Sequence, residues 1–175
     1  MKKESLSSFP FIRTGLGQCS HRFLQSDSSK SCIIAGVIFQ EMPGFQSQSD
    51  GDVIFYALCN AISSLTHVNI ICGVALDLLN KEGITDSEVY LKEAKKTLGN
   101  QKITHISITL EAKRPQFKEF IGEMRKNIAR LLDLHLSQVG ITAIFGDGLT
   151  ECGCGTGVSC QALITTQEEV FKNEL

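Results

Sequence analysis

The chain has 175 residues, enough for one domain on the usual scale of about 100–200 residues each. Hydrophobic residues at 42% and charged residues at 21% exclude a disordered chain. Seventeen basic against nineteen acidic residues leave a net charge of −2, which excludes nucleic-acid binding driven by a basic field.

Residues 1–10 are basic and then Ser-rich, with no apolar stretch of secretory type behind them, and read as a loose N-terminal tail. Residues 11–175 read as a single domain, without repeats, low-complexity tracts or a linker. No apolar run approaches the ~20 residues of a membrane span, so no membrane partner is expected. Seven cysteines, several in apolar segments, suit reduced thiols and a cytoplasmic setting better than a disulfide framework. There is no CxxC pair, and Cys152-Gly153-Cys154 is a weak metal signal.

Residues 11–22 and 32–40 are predicted strands around a Ser/Asp/Lys turn at 26–30. A helix is predicted from Asp50 to about Val68 with Ser49 as its N-cap, followed by a short helix at 73–81 and another at 86–98. Ile106, Ile108 and Leu110 alternate with Ser107, Thr109 and Glu111, the period of a strand with one buried face. Residues 116–132 carry the clearest helical stripe: Phe117, Phe120, Ile121, Met124, Ile128, Leu131 and Leu132. Residues 139–145 and 158–165 read as strands joined by a Gly-rich stretch. This order predicts an α+β fold, a mixed sheet with helices packed on one face. The other face, with His105, Ser107, Thr109, Thr142, Gln161 and Thr165 beside Ile144 and Leu163, suits either solvent or contact between copies of the chain.

Four segments are candidates for chemistry. Ser49-Asp50-Gly51-Asp52 opens the first long helix; it is a capping sequence, and the same place can offer amides and a hydroxyl to a phosphate. Gly15 to His21 lies on the first strand, where Cys19 and His21 leave the same face and can share a metal ion or simply be a buried thiol beside a bonded imidazole. Ala112 to Gln116 reads as a strand-to-helix turn, or as a backbone-lined place for a nucleobase. Ala143 to Thr150 sets Asp147 between glycines, in reach of a metal–phosphate or merely in a turn. No Ser/His/Asp triad and no GxxxxGK[ST] loop is present.

In this order and spacing, GxGxxSH, SDGDV, DSxxYLxEA, KRP, EMRKNIARLL and GxGxGxxC resemble the 2-C-methyl-D-erythritol 2,4-cyclodiphosphate synthase family of the non-mevalonate isoprenoid route, from about residue 12 to 167. The resemblance implies a homotrimer with its sheets facing the trimer axis and an active site between neighbouring subunits. The reaction it implies is cyclisation of 4-diphosphocytidyl-2-C-methyl-D-erythritol 2-phosphate. The 2-phosphate attacks the β-phosphorus, CMP leaves, and a cyclic diphosphate forms. Zinc would polarise the β-phosphate, and Mg²⁺ or Mn²⁺ would bridge the α- and β-phosphates.

Carried over by position, the zinc site falls on Cys19, His21 and Tyr56, of which His21 alone keeps the family's residue type. Asp147 takes the place of a Glu that holds the second metal. Ser49 and Asp50 match the segment around the methylerythritol phosphate, with Gln48 where His is common. Ala112, Pro115, Gln116, Ala143 and Phe145 match the cytidine-binding stretch, whose hydroxyl-bearing phosphate contacts are here Ile144 and Phe145. The family's FPDTD-like segment is not visible in residues 69–83. A phenol of pKa ~10 is a poor zinc ligand. These departures predict a cytidine-diphosphate-binding trimer whose zinc binding and catalysis are impaired or lost; the alternative is an active synthase with a Cys19/His21 zinc site.

Overall fold

The structure, a computed structural model, describes residues 8–171. Strand β1 (Ser8–Arg22) is followed by β2 (Ser31–Ile34), β3 (Val37–Pro43) and helix α1 (Val53–Thr66). A π-helical turn (Ile70–Ala75) runs into α2 (Leu76–Glu82), and then come α3 (Ser87–Lys96), β4 (Lys102–Glu111) and α4 (Ile121–Leu132). Strand β5 (Val139–Ile144), the short helix α5 (Glu151–Cys154) and β6 (Gly157–Phe171) complete the described residues.

The main sheet has the order β1-β6-β4-β5, antiparallel except for the parallel β4–β5 pair, so the predicted mixed sheet is found. Helix α1 packs on β1 and β6 and α4 on β5, and α3 packs against both helices. The core lies between: Ile106, Ile108 and Leu110 of β4 and Val158, Cys160, Ala162 and Ile164 of β6 are buried, those of β6 beneath α1. Helix α1 is apolar nearly all round, as a central helix must be. No single helix among the described residues is long and apolar enough to cross a membrane.

Two glycines explain why α1 lies so close to β1. A Cβ on Gly17 would fall 2.0 Å from the Ala57 carbonyl oxygen, and one on Gly15 would fall 2.3 Å from that of Ala61. With no side chain at 15 and 17, the helix backbone rests directly on the strand. Residues 19 and 21 continue the same row and meet the N-terminal part of α1. This packing brings His21 to Tyr56.

Several boundaries differ from the sequence reading. Ser8–Pro10 belongs to β1, paired with β6, and not to the predicted loose tail; the rest of that prediction, residues 1–7, lies outside the described part. The apolar run 32–40 is a hairpin rather than one strand. Ala35 and Gly36, with φ of 50° and 71°, turn it back, and Ala35 is apolar enough to disguise the turn. The cap of α1 is Asp52 and not Ser49. Gly51 at φ 77° interrupts helical geometry between them. The 116–132 stripe is a turn at 117–120 followed by α4, and the Gly-rich stretch contains α5, capped by Thr150.

Candidate active site

Cys19 and His21 leave β1 on the side of α1, with Sγ and Nε2 3.5 Å apart. The His21 ring stands edge-on to Tyr56, with centroids 5.5 Å apart, and 6.0 Å from Phe45. Tyr56 is hydrogen-bonded through its hydroxyl to Ser49 Oγ at 2.8 Å. Ser49 is buried; its Oγ also accepts from Gly51 N–H and lies 3.2 Å from Ser47 Oγ. The three positions predicted for zinc therefore do come together, with Ser49 beside them.

The charge states are set mainly by burial. Burial and the nearby Asp52 carboxylate push the Cys19 thiol up to about 12, so it is a thiol at neutral pH. Burial and then the Lys30 ammonium lower His21, with Asp50 opposing, so the imidazole is neutral. Burial raises Tyr56 above the usual phenol value, with the Ser49 and Ser47 bonds opposing.

Two members of this set suit zinc and one does not. A tetrahedral ion with bonds of ~2.3 Å to sulfur and ~2.0 Å to nitrogen separates those atoms by about 3.5 Å, the spacing of Cys19 and His21. The third donor is a protonated phenol already bonded to Ser49. Among the described residues, no group of three or more His, Cys, Asp or Glu side chains comes together to hold a metal. The residues do not fit a resident zinc ion.

Asp50 has both carboxylate oxygens engaged. They accept from the Asp52 N–H at 3.1 Å, the Ser87 N–H at 2.9 Å and the Ser87 hydroxyl, which tie the loop to the start of α3. Asp147 is exposed in left-handed geometry (φ 46°), in a cavity of about 470 Å³ shared with Lys113, Phe145 and Cys154. Tyr56 lines a different cavity of about 250 Å³, with Ser47, Gln48 and Tyr90. Within one chain, then, Asp147 and Tyr56 line separate cavities.

The predicted cytidine positions form two groups. Pro115 and Gln116 line a groove of about 680 Å³ against Phe39, Gln40 and Met42 of β3. Ala112 is buried, its N–H bonded to the Ile144 carbonyl, next to Ala143 and Phe145 on the end of β5. Ile144 and Phe145 are both about half exposed. A sequence reading gives no hint of Lys30, whose ammonium reaches the loop carrying Ser47 and Ser49. A lone lysine in a polar turn has no spacing that marks it.

The comparisons with known proteins agree with one another. A curated protein of Chlamydia abortus, "2-C-methyl-D-erythritol 2,4-cyclodiphosphate synthase", is 53% identical over 173 residues, covering 96% of this chain and 98% of that protein. The bifunctional IspDF of Campylobacter jejuni superposes with a TM-score of 0.82 at 26% identity over 91% of this chain, which spans 43% of that larger protein. IspF of Plasmodium falciparum in its CDP complex superposes with a TM-score of 0.76 at 24% identity, covering 90% of this chain and 96% of that one. A family model matches residues 12–167, nearly the whole β1-to-β6 unit that builds the cluster, and by that match the chain belongs to the YgbB family.

Proposed function

We propose that this chain binds a cytidine-diphosphate-containing substrate of the cyclodiphosphate synthase type as a cytoplasmic homotrimer, and that its turnover is slow or lost. The observation that carries this reading is the Tyr56–Ser49 hydrogen bond at 2.8 Å, which occupies the third zinc-donor position with a protonated phenol. The nucleotide end would be held at Ala112, Pro115, Gln116, Ala143 and Phe145, largely through backbone groups. Ser49 would face the polyol phosphate, and Asp50, with its oxygens committed to Ser87 and Asp52, would hold that loop in shape. Asp147 would ligate the Mg²⁺ or Mn²⁺ that arrives with the diphosphate; such an ion neutralises charge on the leaving phosphate.

A second reading has one specific support: the 53% identity to a protein named as the synthase over 98% of its length. It makes this chain an ordinary synthase, releasing CMP from 4-diphosphocytidyl-2-C-methyl-D-erythritol 2-phosphate. The readings separate in one assay. CMP release with Mg²⁺ is followed alongside zinc content of protein purified without chelator. About one zinc per chain with steady turnover supports the ordinary synthase. Binding of CMP without turnover supports the impaired form, and absence of CMP binding up to millimolar concentration overturns both.

A further inference from the structure

Lys30, at the end of the turn before β2, directs its ammonium at three main-chain carbonyls of one loop. It donates to Phe45 O at 2.8 Å, Ser47 O at 2.8 Å and Ser49 O at 2.5 Å. All three N–H donors of the ammonium are thereby used. The carbonyls of alternate residues 45, 47 and 49 converge on one point, and their dipoles repel one another unless a cation stands there. The backbone of Lys30 joins in: its carbonyl accepts from Gly44 N–H at 2.8 Å. Gly44 lies so tightly there that a Cβ on it would meet Lys30 Cγ and O at 2.7 Å.

The far side of the loop is bonded to the end of β1. Gln46 N–H donates to Arg22 O, and Leu24 N–H donates to Gly44 O, both at 2.8 Å. Phe45 stacks on Phe23. Residues 47–49 have no such strand partner. Their order comes from Lys30, from the Ser47 and Ser49 hydroxyls and from Tyr56.

We infer that Lys30 is a positioning residue: it fixes the Phe45–Ser49 loop, and with it the direction of the Ser49 hydroxyl. Its value for substrate rests on the reading that Ser49 faces the polyol phosphate; its hold on the loop does not. Charge-assisted bonds are about twice as strong as neutral ones, so three at one ammonium dominate the loop's local order.

The test compares the full chain with Lys30→Met and Lys30→Arg by amide hydrogen exchange and by kinetics. In Lys30→Met, exchange at Ser49 and Gly51 is expected to rise about tenfold or more, while the α1 amides change less than about twofold. Lys30→Arg, keeping the charge, is expected to recover most of that protection. With the diphosphocytidyl substrate, KM is expected to rise about tenfold in Lys30→Met with kcat within about threefold. Unchanged exchange at Ser49 and Gly51, or a rise spread evenly over the chain, overturns the proposal. If Lys30→Met does not fold, Lys30→Gln, which keeps N–H donors, carries the same comparison. If the unaltered protein neither binds nor turns over substrate, the functional reading falls and the exchange arm still decides on Lys30.

Discussion

Tyr56 and Ser49 are joined hydroxyl to hydroxyl at 2.8 Å, one from the first turns of α1 and the other from the loop before it. Burial keeps the phenol protonated, with this bond acting in the opposite sense. Tyr56→Phe is expected to cost about 1 kcal/mol of stability, the usual worth of one such bond. Placing an imidazole and a carboxylate beside His21 by Tyr56→His with Cys19→Asp is expected to raise zinc retention more than either change alone, because ligands act as a set. Elemental analysis after chelator-free purification reads this directly. No gain in the double variant would falsify the placement of these three residues around a single ion.

Asp52 supplies a pH dependence. Burial pushes its carboxyl up to about 7, against the N–H donors of Gly36 and Phe55 that favour the charged form. A carboxyl raised above its unfolded value stabilises the fold fully below about pH 4, and that contribution is lost as pH rises through about 7. The change is on the order of 4 kcal/mol at 1.36 kcal/mol per unit. Urea midpoints across pH 4–8 are expected to fall on the alkaline side. Asp52→Asn is expected to flatten that slope while costing about 1–2 kcal/mol throughout, since its one oxygen can still cap α1 but the Gly36 N–H loses its acceptor. A slope that persists in Asp52→Asn assigns the effect to another group.

Gly17 tests the close approach of α1 to β1. Gly17→Ala places a Cβ 2.0 Å from the Ala57 carbonyl oxygen and 2.3 Å from the Ala61 nitrogen, and backbone on both sides leaves nothing flexible to yield. A loss of more than about 3 kcal/mol is expected, or failure to fold. Gly83→Ala is the control: its φ is 69° but nothing lies within 4 Å, so about 1 kcal/mol is expected. Equal losses in chemical denaturation would mean that φ, and not contact, governs Gly17.

The parts of this architecture that follow a period were legible in the sequence. The alternation of Ile106, Ile108 and Leu110 and the stripe through Met124, Ile128 and Leu132 are buried as their spacing requires. The pairing of Cys19 with His21 followed from the two-residue repeat of a strand. What escaped depends on single backbone torsions or on contacts between distant segments. Ala35 in left-handed geometry looks like any apolar residue, so the hairpin was hidden in a continuous apolar run. Asp52 displaces Ser49 as cap because Gly51 turns the chain, and either residue is chemically suited to the role. The commitment of Asp50 to Ser87 joins residues 37 apart in the chain, and no local pattern announces it.

The uncovered sheet face carries the prediction about assembly. Leu16 on β1 stands opposite Leu163 on β6, which in turn stands opposite Ser107 on β4. Both leucines are exposed, at 62% and 40%, with Ile12 at 63% along the same strand. Thr109 and Thr142 extend the row of small side chains, their hydroxyls 3.2 Å apart. An apolar patch across two strands, bordered by small polar groups, suits burial against copies of itself. If this face is the proposed trimer contact, Leu16→Glu with Leu163→Glu sets like charges against one another on every subunit. The unaltered protein is then expected to sediment at three chain masses and the double variant at one, with its circular dichroism unchanged. Since the proposed site lies between subunits, the monomeric variant is also expected to lose at least about tenfold in CMP affinity. A trimer that survives both charges, or an unaltered chain that is monomeric at tens of micromolar, shows that this face does not hold the subunits together.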